Sequence, residues 1–142
     1  MKPPLLILCA TDLSEDADLA VKAASDIARL FGSRLVFVHA VPYPAPAQVL
    51  FPHLIQGTMD RLMAVSRVAA ETVTARVLGL TGRAAEDIDV RVDVGAPEEV
   101  IVDTAEESHA DLLVIGLAGS DSTGPGPGAT AVRIARHAHC PV

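Results

Sequence analysis

Asp111-Leu-Leu-Val-Ile115 runs straight into Gly116-Leu-Ala-Gly119, and eight residues later comes Gly128-Ala-Thr130. The apolar block, bounded by a charge and a glycine, reads as a buried strand, and Ala129 to His139 reads as a helix. Strand, glycine-rich loop and helix together aim backbone N–H groups at an anion on a helix N-terminus. The chain therefore carries a candidate phosphate site near its C-terminal end. It also carries one βα step of an alternating fold.

The alternation continues through the rest of the chain. Leu5 to Ala10 is an unbroken run of small apolar residues, a buried strand. Asp12 and Ser14 then mark a helix start, with Glu15, Asp16 and Asp18 as first-turn charges and nothing more. Ala17, Ala20, Val21, Ala24, Ile27, Ala28 and Phe31 share one helical face, and Gly32 is placed to cap its end. Leu35 to Val41 is a second strand. Pro42, Pro44, Pro46 and Pro52 exclude a regular element between 42 and 57, where Leu50, Phe51, Leu54 and Ile55 give a packed loop.

A second long helix from Thr58 to Leu80 sets Leu62, Val65, Ala69, Val73, Val77 and Leu80 on one face. Ile88 to Val94 alternates apolar and charged residues, the period of a half-exposed edge strand. Pro97, with Glu98 and Glu99 beside it, starts a third helix that ends near His109. The order is βαβαβαβα with right-handed crossovers, a doubly wound parallel α/β sheet in one domain over residues 1–142. A fifth strand would be starting at Cys140-Pro-Val142, so the last strand is expected to be truncated.

Composition fits that fold and narrows the partners. Half the residues are apolar but only 3% are aromatic and Trp is absent, so Ala, Val, Leu and Ile must build the core. Such residues suit helices packed on a parallel sheet. A formal charge of −7 argues against nucleic acid or an anionic membrane as partner. No apolar run reaches the roughly 18–20 residues of a membrane span. The N-terminus, with its one Lys, does not read as a signal peptide. Cys9 and Cys140 form no disulfide framework. A soluble cytoplasmic protein is the expectation.

These residues bring the chain close to a known family. Leu5-Leu-Ile-Leu-Cys-Ala-Thr-Asp12-Leu-Ser-Glu, Val94-Gly-Ala-Pro97-Glu-Glu, Ala110-Asp-Leu-Leu-Val-Ile-Gly116 and Gly128 to Val142 occur in the order of the universal stress protein family. The chain resembles that family over essentially its whole length. The resemblance implies a three-layer sandwich of the adenine nucleotide alpha-hydrolase-like type, with strand order 3-2-1-4-5. It also implies a homodimer paired through the final strands.

The family's nucleotide-binding branch carries Gly, two residues, Gly, nine residues, then Gly-Ser or Gly-Thr. Here Gly116 and Gly119 fit, but eight residues precede Gly128 and Ala129 follows it. The intervening loop holds Asp121 and no basic residue. The resemblance implies adenine near Val41 and the main chain of Ala10, Thr11 and Asp12. Ribose and phosphates would follow Gly116, Ala118, Gly119 and the N–H groups of Gly128, Ala129 and Thr130. In an open α/β sheet this crevice lies beyond the strand C-termini where strand order reverses, here between the first and fourth strands. Replacing a Ser at 129 by Ala removes one hydroxyl, about 0.5–1.5 kcal/mol, and leaves the backbone cradle.

Electrostatics point the other way, since a triphosphate adds charge to an acidic protein unless Mg²⁺ offsets it. ATP or AMP is therefore the implied ligand, with AMP or another less charged nucleotide favoured.

Other residues carry less chemistry. His137, His139 and Cys140 are metal-binding types, but the two His point to different sides of a helix and better serve its dipole, with Arg133 and Arg136. Cys9 reads as a buried core residue. His39 lies close enough to the crevice to touch a ligand, although one His at a strand end is usually a satisfied core residue. No nucleophile with an adjacent base is identifiable, so no catalytic residue is assigned. The expected role is a ligand-responsive regulator in stress adaptation, the nucleotide ordering the Gly119–Gly128 loop that an unknown protein partner reads. The alternatives are a nucleotide-free dimer acting through protein contacts, and a slow ATPase.

Overall fold

The computed structural model describes residues 5–42, 55–118, 124 and 126–142. The proline-rich stretch expected as a packed loop falls largely outside these residues, as do Gly119 and Asp121. Strands and helices alternate: β1 (Leu6–Ala10), α1 (Glu15–Phe31), β2 (Arg34–Val41), α2 (Ile55–Thr81), β3 (Asp89–Val94), α3 (Pro97–Glu107), β4 (Leu112–Val114) and α4 (Ala129–His137). A 3-10 turn at Ala85–Asp87 precedes β3.

All strand pairs are parallel, in the order β3-β2-β1-β4. Cys9 of β1 lies opposite Phe37 of β2 on one side and Val114 of β4 on the other. The chain winds outward from β1 through β2 to β3, then returns to β1's free side as β4. That reversal sits between β1 and β4, and β3 takes the edge that its alternating sequence predicts. Beside β4, the Leu113 N–H donates to the Pro141 carbonyl at 2.9 Å, so the last residues lie where a fifth strand would start.

Strand alternation divides the core between two helical layers. Leu6, Leu8, Val36 and Val38 pack with Val100 and Ile101 of α3 and Ile134 of α4. Ile7, Cys9, Leu35 and Phe37 pack with Ala20, Val21 and Ala24 of α1 and Val73 and Val77 of α2. The result is the three-layer sandwich. The α1 ends are set as its sequence predicts: Ser14 Oγ accepts from the Ala17 N–H, and Gly32 caps at φ 61°.

Two helices differ from their sequence reading. α2 starts at Ile55 instead of Thr58, and its apolar face is only half used. Val73 and Val77 are buried, whereas Val65 on the same face is 52% exposed. A 27-residue helix is about 40 Å long and the 8-residue β2 only about 27 Å, so the first half of α2 runs past the sheet. Periodicity reports a face but not where the surface beneath it stops. α4 ends at His137 instead of His139, because the chain turns extended at Ala138 to reach β4 ahead of Pro141.

Candidate ligand cleft

A cavity of about 290 Å³ opens at the C-terminal ends of β1 and β4, at the point where strand order reverses. Ala10, Thr11 and Asp12 form one wall, and Ile115, Gly116 and Ala118 a second. The start of α4, Gly128 to Ala131, belongs to the lining too, as do His39, Pro97 and Ile101.

The turn from β1 to α1 is built from side-chain acceptors. Thr11 Oγ1 accepts from the Leu13 N–H at 3.1 Å, and Asp12 Oδ1 accepts from the Ser14 N–H at 3.0 Å. These bonds hold Leu13 at φ 66°, a left-handed conformation that costs a branched side chain energy. Just past the strand, Thr11 is tied to β2 by two further bonds: its N–H donates to the Val38 carbonyl at 3.0 Å, and His39 Nδ1 lies 2.8 Å from its carbonyl. A carbonyl only accepts, so Nδ1 carries a proton and donates it to this bond. His39 is thus both satisfied and part of the cleft lining.

Opposite this turn, Gly116 lies almost against the first turn of α1. A Cβ there would stand 3.0 Å from Ala17 N and from the Asp16 carbonyl carbon. Two residues on, the Ala118 N–H donates to Asp16 Oδ2 at 2.9 Å. The Gly128 N–H returns to the Leu117 carbonyl at 2.8 Å, which closes the described part of the loop against itself. Gly128 then serves as the N-cap of α4 with no side-chain hydrogen bond and no acidic residue in the first turn. The first N–H groups of a helix have no partner within it. Those of Ala129, Thr130 and Ala131 belong to residues of the cleft wall, and the helix dipole makes this end positive.

The acidic first turns do more than complement dipoles. Asp16 holds Ala118; Asp18 pairs with Arg76 through both oxygens at 2.7 Å and pushes the guanidinium pKa further up; Glu98 reaches Arg133 of α4 at 3.3 Å. Sequence spacing could not reveal these, since the partners lie 102, 58 and 35 residues away. His137 Nδ1 turns back to the Arg133 carbonyl at 2.8 Å, while His139 points to Glu106 at 3.9 Å. Among the described residues no three His, Cys, Asp or Glu side chains form a metal-holding group.

Eight of the ten residues singled out from the sequence border this one cavity: Ala10, Thr11, Asp12, Gly116, Ala118, Gly128, Ala129 and Thr130. Ala118 presents no free N–H there, because Asp16 takes it. Val41 is buried, at 5% exposure, away from the cavity lining, and its carbonyl accepts from the Gly95 N–H. Gly119 lies outside the described residues. Pro97 and Ile101, read from sequence only as parts of a helix, join the wall because α3 crosses beside α4. No local pattern signals that crossing.

The domain belongs to the class of doubly wound α/β folds, with its cleft at the switch point of strand order. The Universal stress protein family matches residues 6–142. A universal stress protein of Thermus aquaticus, from the region 3′ of a QAH/OAS sulfhydrylase, is 34% identical over 137 residues, covering 96% of this chain and 94% of its own. The universal stress protein UspA of Lactobacillus plantarum superposes with a TM-score of 0.80 at 25% identity, covering 100% of this chain and 97% of its own. A universal stress protein solved in complex with cAMP superposes with a TM-score of 0.62 at 27% identity, covering 99% and 95%. The chain belongs to the universal stress protein family.

Proposed function

We propose that the cleft binds an adenine nucleotide of low charge, AMP in preference to ATP, and that the protein acts as a ligand-responsive regulator. One observation carries this reading: the uncapped N-terminus of α4 faces a pocket bounded by acceptors at the end of β1. An anionic group fits the α4 end, where backbone donors and the dipole favour it. A donor-bearing base or ribose fits the end lined by Asp12 and the Thr11 main chain. The relative that binds cAMP supports the same ligand class.

Charge selects within that class. Among the described residues lining the cavity there is no Lys or Arg, and Asp12 is the acid. The whole chain carries −7. A monophosphate or cyclic phosphate asks less of this site than a triphosphate, for which Mg²⁺ would have to supply the missing positive charge. Among the described residues that line the cavity there is no Ser or Cys beside a base, which favours binding over turnover. A homodimer and a cytoplasmic location are part of the same proposal.

Denaturing the purified protein and identifying any released nucleotide by mass spectrometry tests the reading. Near-stoichiometric AMP or another adenine nucleotide supports it. An empty protein that also gives no calorimetric signal with AMP, or with ATP and Mg²⁺, rejects it in favour of a dimer acting through protein contacts alone.

A further inference from the structure

We infer that Asp16 is a positioning residue: its carboxylate fixes the main chain leaving β4 against α1 and thereby sets the width of the ligand cleft. The inference rests on the nucleotide reading for its consequence in binding, but not for the contact itself. Its basis is a single bond across 102 residues of sequence, from the Ala118 N–H to Asp16 Oδ2 at 2.9 Å.

Three features make that bond a staple instead of an incidental surface contact. Gly116 brings the two main chains so close that a Cβ would stand 3.0 Å from Ala17 N, so the segments already share a fixed separation. Asp16 lies in the first turn of α1, whose start is held by the Ser14 cap, and its side chain is half-buried. Ala17 and Ala118, on either side of the contact, both line the cavity. Movement at the staple therefore moves the cavity wall. A charge-assisted bond from a carboxylate to a backbone N–H is stronger than a neutral one.

The staple also consumes a donor. Ala118 is the residue where the glycine-rich loop could begin to offer N–H groups to a phosphate, and Asp16 occupies that N–H from behind. Anion-binding capacity is left to the α4 end of the cleft. Asp16 touches no ligand in this arrangement; it acts through Ala118.

Amide hydrogen exchange on the full chain without ligand decides the contact, with Asp16→Ala and Asp16→Asn compared with the parent. In Asp16→Ala the Ala118 amide exchanges faster by about tenfold or more, while Leu8 and Val38 in the sheet stay protected. Asn retains an acceptor oxygen, so Asp16→Asn largely restores protection at Ala118. Unchanged Ala118 exchange in Asp16→Ala overturns the inference, and so does equal loss in both variants. If sheet amides lose protection equally with Ala118, Asp16 is a general stability residue and the inference also fails.

AMP calorimetry in about 0.5 M salt, where the Asp16 charge is screened, gives the consequence: affinity about tenfold weaker in Asp16→Ala and near parental in Asp16→Asn. If AMP affinity is equal in all three, the positioning role is overturned even where the bond is real. A parent that binds no nucleotide sinks the nucleotide reading and with it the role in binding. The exchange data then still decide whether Asp16 holds the loop.

Discussion

His39 Nδ1 lies 2.8 Å from the carbonyl oxygen of Thr11, so β2 holds the end of β1 by a side chain where the ladder runs out. The last main-chain bond of that pairing, from the Thr11 N–H to the Val38 carbonyl, is one step earlier. Together the two bonds engage both main-chain polar groups of Thr11. Asp12, the next residue, is thereby presented at the cavity rim.

Replacing His39 by Phe removes the donor and leaves a part-buried carbonyl without its partner. The expected loss is about 1–3 kcal/mol, read as a lower urea midpoint with an unchanged slope. His39→Gln can donate from its amide and should recover part of the loss. If Phe is as stable as His, the Thr11 carbonyl is solvated in solution and the imidazole does not organise the turn.

Gly116→Ala tests the close approach of the loop to α1. The new Cβ meets Ala17 N at 3.0 Å, a backbone atom at a capped helix start that cannot swing aside as a long side chain could. Reduced chain entropy in the unfolded state would favour Ala by about 0.4–1 kcal/mol, but the forced displacement costs about 1–3 kcal/mol. The net expectation is destabilisation by roughly 1 kcal/mol or more in chemical denaturation, with weaker AMP binding. A variant more stable than the parent would mean that the two segments separate freely.

These two positions show how far the sequence could be read. The unbroken apolar run ending at Ala10 and the alternating Ile88–Val94 each announced a strand and its degree of cover, while the sheet order came from the family resemblance. Gly116, Gly128 and Asp12 were legible because strand ends and helix starts leave local marks. The bonds that shape the cleft were not. Asp16 looks like any acid in a first turn, and nothing near it in sequence indicates Ala118. His39 likewise gives no sign of Thr11, and the exposed half of α2 has the same periodicity as the buried half. What is local in the chain was readable, and what depends on two distant segments meeting was not.

Cys9 should make the protein lose stability in alkali. Burial in the sheet pushes its thiol from an ordinary 9.0 up to about 12. Above pH 9 the unfolded chain releases that proton while the folded chain keeps it, so the unfolded state binds fewer protons and stability falls as pH rises. The contribution is constant below pH 9 and declines progressively from there to about 12. Urea titrations at pH 8, 9 and 10 should show the decline in the parent and a shallower one in Cys9→Ala, once the overall cost of the truncation is subtracted. Parallel slopes in the two proteins would assign the alkaline loss to other groups.

The Asp16 carboxylate should also influence which nucleotide the cleft prefers. Asn keeps an acceptor for the Ala118 N–H but removes one negative charge from behind the cavity wall. At about 8 Å and water's dielectric of about 80, each additional ligand charge interacts with that carboxylate by roughly 0.5 kcal/mol. ATP carries more charge than AMP, so Asp16→Asn should shift the ratio of their affinities toward ATP by roughly threefold to tenfold at low salt. The shift should shrink in about 0.5 M salt, where the screening length falls below 5 Å. Calorimetric titration of both nucleotides into both proteins, at two ionic strengths, reads this directly. A ratio that stays constant, or one whose shift is indifferent to salt, would show that the carboxylate acts on the loop geometry alone and not on ligand charge.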